Sequence, residues 1–295
     1  MRAFAWFIGL LLLALAAMAG LTYPVWQVLH PLFGFPFHRV ADRIGMVALA
    51  LGFWAVARHL RLADRASLGY GITRGRFFGE ATRGFLIGVP LMAAVVLVMV
   101  ALGLREWKPG VVISAAALGR LALQGLLRGI AVALIEETFL RGAMFAGIAR
   151  ESGARAAIVL TSLVYALTHF VSSYHVPADQ IAWRSGLDML AGSFRAFAHP
   201  AQVADAYICL FAVGVVLAQV RSITGNIAAG LGLHAGFVWV ITFVRETSVA
   251  VPASSLGFLL SRFDGVVGWL VCAWTLLAGL VLARYYRRRT GALNG

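Results

Sequence analysis

Residues 131–147 read AVALIEETFLRGAMFAG, and the fold turns on this stretch because Glu136, Glu137 and Arg141 sit inside a run that is otherwise almost wholly apolar. An ionised side chain at bilayer depth costs roughly 2.5 to 3.5 kcal/mol on insertion scales, so such residues face a bundle interior and mark function. On a helix Glu137 and Arg141 are four apart, in the favourable acid-before-base order, and pair on one face. Glu136 has no basic residue three or four positions after it. A carboxylate beside a self-satisfied ion pair is poised to take a proton from something else, which is general-base chemistry.

The rest of the chain agrees with a membrane setting. Of 295 residues, 61% are hydrophobic and only 13% charged, against about half and about a quarter in soluble globular domains. The expected fold is therefore an all-α polytopic integral membrane protein. The formal net charge of +13 does not point to nucleic acid, because the basic residues form no patch interleaved with aromatics. They fall in the short segments between apolar runs, the pattern that orients membrane proteins. Cys209 and Cys272 both lie in apolar runs with no close spacing, so neither a disulfide nor a cysteine metal site is expected.

Eight spans are expected, at about 4–21, 44–60, 85–104, 129–149, 156–173, 205–220, 226–244 and 265–283. The first follows Arg2 and competes with a cleaved signal peptide; its length and the anchors Tyr23 and Trp26 favour an uncleaved span. The proline-interrupted stretch after it reads as a loop. Six arginines between Arg58 and Arg83, against Asp64 and Glu80, place that segment in the cytoplasm and with it both termini, in the cell (inner or plasma) membrane of a bacterium. Arg120, Gln124 and Arg128 recur on one helical face, so 111–128 reads as an interfacial amphipathic stretch ahead of the fourth span. The segment 174–200 is expected outside. Three regions result: 1–110 with three spans, a core at 111–246, and 247–295 with an outer loop, the last span and a basic tail.

Of seven histidines, only His169 and His234 lie well inside apolar runs, on separate helices. Two buried histidines with an unpaired glutamate make a site. At these residues the sequence resembles the CAAX-protease and bacteriocin-processing (CPBP) family of intramembrane proteases. Its Glu-Glu-x-x-x-Arg motif stands as Glu136, Glu137 and Arg141; its Phe-x-x-x-His motif stands as Tyr165 and His169, with tyrosine for phenylalanine; its last histidine is His234, with Val238 where the family has Asn or Asp. The resemblance covers about 111–243. It implies a bundle with the active site inside it and hydrolysis of a peptide bond of a membrane-embedded or membrane-anchored peptide or protein. Glu136 with His169 would activate water, His234 would stabilise the oxyanion, and Glu137 and Arg141 would hold the helix. Asn226, Trp239 or a backbone group would have to replace the donor absent at Val238. No cofactor is favoured, since the His-Glu-x-x-His spacing is absent; the alternative is zinc held by Glu136, His169 and His234. From a different class, Val238 leaves open a catalytically inactive member that binds a membrane partner.

Overall fold

Seven helical runs are long and apolar enough to cross a membrane, and the computed structural model that shows them describes residues 1–111, 114–171, 174–251 and 253–294. The helices are α1 (Arg2–Phe33), α2 (Phe37–His59), α3 (Arg74–Ala101), α4 (Ala115–Glu136), α5 (Phe145–Thr168), α6 (Ser185–Ser193), α7 (Pro200–Thr224), α8 (Ala228–Thr247) and α9 (Trp269–Asn294), with a π-helical segment, Glu137–Met144, joining α4 to α5. The protein is thus a polytopic helical membrane protein. The fourth and fifth expected spans share one helical run of 54 residues, 115–168. That run is two helices across a kink, because Gly153 takes φ 82° and ψ 165°, outside the helical region. The expected end of the fifth span at Ser173 lies outside the described residues.

Three expectations are corrected. The proline-interrupted stretch is not a loop: α1 continues through Pro24 and Pro31, and only residues 34–36 connect it to α2. Membrane helices tolerate proline where local adjustments re-satisfy the freed backbone groups, and the chain stops instead at Gly34, whose φ of 65° caps α1 with an N–H donated to the His30 carbonyl. The amphipathic stretch is not a separate helix from the fourth span, since α4 runs unbroken from Ala115 to Glu136 with Arg120, Gln124 and Arg128 all exposed. The turn expected at 105–110 contains a strand, β1 (Arg105–Trp107), antiparallel to β2 (Ser248–Ala250) with Glu106 opposite Val249.

The chain forms two compact units. One comprises Met1–Ala63 and Leu167–Ala201, the other Asp64–Ala166 and Gln202–Gly295. In the first, α1 packs along α2 and α6, and α6 approaches so closely that a Cβ on Gly186 would fall 1.9 Å from the Ala19 carbonyl oxygen. Phe37, Ala41 and Met189 form its buried cluster.

The second unit is built around α8, in which every residue from Ala228 to Gly236 is buried. The reason is a set of small residues that let backbones meet, the usual device where lipid supplies no hydrophobic drive between helices. A Cβ on Gly84 of α3 would lie 2.3 Å from the Ala229 carbonyl oxygen, and one on Gly232 of α8 would lie 1.9 Å from that of Ala81. On the other flank Gly125, Gly129 and Ala133 form the buried face of α4, and Gly129 meets the Ala235 carbonyl. Apolar side chains of α7, α8 and α9, among them Leu217, Leu233 and Tyr286, complete the core.

Candidate active site

The site begins with the change of helical pitch. At Glu137 the backbone passes from α to π geometry, in which each N–H reaches one residue further back; such bulges are rare and frequent at functional sites. Several groups pin the segment. The Arg221 Nε donates to the Arg141 carbonyl at 2.9 Å, and its guanidinium lies 5.6 Å from the Phe145 ring centroid. The Thr138 hydroxyl bonds the Tyr70 hydroxyl at 2.6 Å and the Leu134 carbonyl at 2.5 Å. Gly142 leaves no room for a side chain, its Cβ direction ending 2.6 Å from the Leu68 carbonyl oxygen.

Within this frame the expected ion pair forms. Arg141 Nη1 donates to Glu137 Oε1 at 3.1 Å, and both side chains are sealed from solvent. Arg141 also donates to the Gly214 carbonyl at 3.3 Å and lies over the Tyr165 ring, 4.5 Å from its centroid. Cationic groups over aromatic faces gain most where water is excluded. The pair has a third member that no spacing in the sequence reveals: His234 Nδ1 lies 3.0 Å from the same Glu137 Oε1. With that carboxylate ionised beside Arg141, Nδ1 carries the hydrogen and the ring is held edge-on to Tyr165, their centroids 6.0 Å apart. A carboxylate that fixes one imidazole nitrogen decides what the other presents. That other nitrogen, Nε2, faces Glu136 Oε2 at 3.9 Å.

Glu136 is unlike its neighbour. Its side chain is 30% exposed where that of Glu137 is 1% exposed; the Oε2 of each is buried with no hydrogen-bond partner among the described residues, but only Glu137 has its other oxygen engaged. The structure therefore brings together Glu136, Glu137, Arg141, Tyr165 and His234. His169 belongs to the other compact unit, half-buried on the turn that follows the end of α5 at Thr168.

Two candidate substitutes for the donor absent at Val238 are already engaged elsewhere. Asn226 caps the start of α8, accepting from the Ala228 N–H at 3.0 Å and donating to the Thr224 carbonyl at 2.9 Å. Trp239 Nε1 donates to the Ala122 carbonyl of α4 at 2.9 Å. Arg221 was legible only as the end of a span; its burial and its bond to the π segment are tertiary. Tyr165 was legible as a motif residue and not as the plate under Arg141.

A catalytic zinc takes three protein ligands and keeps a fourth position open. Glu137 Oε1 is engaged by Arg141 and His234, and His169, one of the three residues of the zinc alternative, belongs to the other compact unit. Among the described residues no three His, Cys, Asp or Glu side chains are grouped to hold a metal ion.

Residues 118–240 match the family model described as type II CAAX prenyl endopeptidase Rce1-like. The matched segment starts in α4 and ends in α8, and it contains Glu136, Glu137, Arg141, His169 and His234. No curated protein and no solved structure matches the chain.

Proposed function

We propose, from the match of residues 118–240 to the type II CAAX prenyl endopeptidase Rce1-like family model, that the protein is a glutamate-type endopeptidase that hydrolyses a peptide bond of a membrane-embedded or membrane-anchored protein. Glu136 is the general base. It takes a proton from the attacking water, a step in which the resemblance of the motifs gives His169 a share, and His234 steadies the oxyanion of the tetrahedral intermediate. The observation that carries this assignment is the contrast between two adjacent carboxylates. Each keeps a buried Oε2 without a hydrogen-bond partner among the described residues, but Glu137 is sealed from solvent with its Oε1 spent on Arg141 and His234, whereas Glu136 is partly open and pairs with no basic side chain beyond facing His234 Nε2 at 3.9 Å.

Glu137 then has a second task besides pairing Arg141. By accepting the Nδ1 hydrogen it directs His234 Nε2 toward Glu136. A neutral imidazole so held presents a lone pair there, and a protonated one presents a second N–H, the form that serves an oxyanion. No step is routed through a metal. The protein is proposed to act in the cell membrane of a bacterium, with the substrate reaching Glu136 from the bilayer.

The test compares membrane proteomes of cells carrying wild-type protein and Glu136→Gln. Glutamine keeps the shape and removes the proton acceptor, so cleavage should fall by roughly 100-fold to 10,000-fold with protein level unchanged, and an uncleaved precursor should accumulate. Full activity in Glu136→Gln would end this assignment.

A further inference from the structure

In the second unit α3 and α9 enclose an apolar trough of about 440 Å³ lined by Ile87, Leu91, Trp274, Ala278 and Val281, none of them a residue of the candidate active site. Trp274 Nε1 donates to the Leu91 carbonyl at 3.0 Å and ties the two walls together. The trough shares Val281 and Tyr285 with a second cavity of about 560 Å³, whose other lining residues are Arg284, Arg288 and Arg289. From Trp274 to Tyr285 the floor runs eleven helical steps, about 16 Å at 1.5 Å each, close to half of a hydrocarbon core about 30 Å thick. One end is therefore greasy over the depth of one leaflet and the other is basic.

The three arginines are not equivalent. Arg289 is engaged by Glu80 at 2.8 Å, and the same carboxylate oxygen holds Arg83 at 3.2 Å. Arg284 and Arg288 are exposed, lie four residues apart on one face, and have no ion-pair partner among the described residues. Glu80, the acid that reaches α9, is already spent. Two unpaired guanidinium groups at the mouth of a leaflet-deep apolar trough are complementary to a phosphate ester carrying an acyl chain, and arginine forks fit phosphate oxygens in pairs. We propose that this groove binds one anionic phospholipid of the surrounding bilayer, its acyl chain along Leu91, Ala278 and Val281 and its phosphate on Arg284 and Arg288. Basic pockets between membrane helices bind anionic headgroups on this principle.

The full-length protein, purified into nanodiscs of equal phosphatidylcholine and phosphatidylglycerol, tests it by native mass spectrometry of the retained lipid. Wild-type protein should keep phosphatidylglycerol in preference. Arg284→Gln with Arg288→Gln should lower that preference by roughly 10- to 30-fold, and Ala278→Trp, which fills the trough, should lower retention without touching a charge. Arg287→Gln removes a charge of the same helix that does not line the groove and should change nothing. Equal retention of both lipids by wild type, or an unchanged preference in the double variant, overturns the proposal. So does a loss in the arginine variant with none in Ala278→Trp, or displacement of the lipid by millimolar inorganic phosphate, since either means an anion site without an acyl chain.

Discussion

Arg141 makes one bond to Glu137, one to the Gly214 carbonyl and one stacking contact with Tyr165, all sealed from solvent. Arg141→Ala removes all three and leaves Glu137 with only His234 for a partner. Truncating one member of a buried pair typically costs about 3 to 5 kcal/mol, so the variant should accumulate poorly in membranes and melt earlier in detergent. Normal accumulation of an inactive Arg141→Ala protein would instead put the guanidinium among the groups that touch substrate. The ion pair itself was legible, because a spacing of four on a helix is local geometry and needs no fold. The bond from His234 was not, since 97 residues separate it from Glu137 and only the packing of α8 joins them. For the same reason Asn226 and Trp239 looked available in sequence and are occupied in the structure.

At the scale of elements, the helices of the second unit are set by glycine rather than by large side chains. Gly232 is the closest point, and the group it faces is the Ala81 backbone carbonyl, which cannot swing aside. Gly232→Ala should separate α3 from α8 and cost about 1 to 3 kcal/mol, the range for overfilling a tight contact. Gly79→Ala, on the same α3 with nothing within 4 Å of the added carbon, should be neutral or slightly stabilising because alanine favours helix. Thermal unfolding of the two variants in detergent compares them directly, and equal melting points would show that the contact carries no such constraint. Most helices were legible from apolar length alone. Their ends were not: prolines in α1 carried the wrong weight because turn chemistry learned in water overstates their effect in lipid. The short strands at Arg105 and Ser248 were hidden because three-residue pairing is a tertiary event, fixed here by buried Arg105, which donates to Ser248, Val244 and Gly265.

For the molecule as a whole, the arginine distribution predicts both termini in the cytoplasm and the segment 174–200 outside. A reporter active only outside the membrane, fused after Gly192, should be active, and the same reporter at Gly295 should be silent. Activity at the C-terminal fusion would refute the orientation, and with the N-terminus cytoplasmic it would require an odd number of crossings. The 54-residue run broken at Gly153 is where that count is decided, since the kink separates the helix carrying Glu136 from the helix carrying Tyr165.

The eight-residue π segment also sets the phase of the chain. A π turn takes up about one residue more than an α turn, so Phe145 and the residues after it are rotated by about 100° from where an unbroken α-helix would send them. Losing a single residue between Thr138 and Met144 while the helix relaxed to its ordinary pitch would cancel that rotation, whereas restoring the ordinary pitch with every residue kept would turn each side chain up to Gly153 toward the wrong neighbour. Pitch and residue count in the segment are therefore matched, and a change in one without the other is what the packing after Met144 would not absorb.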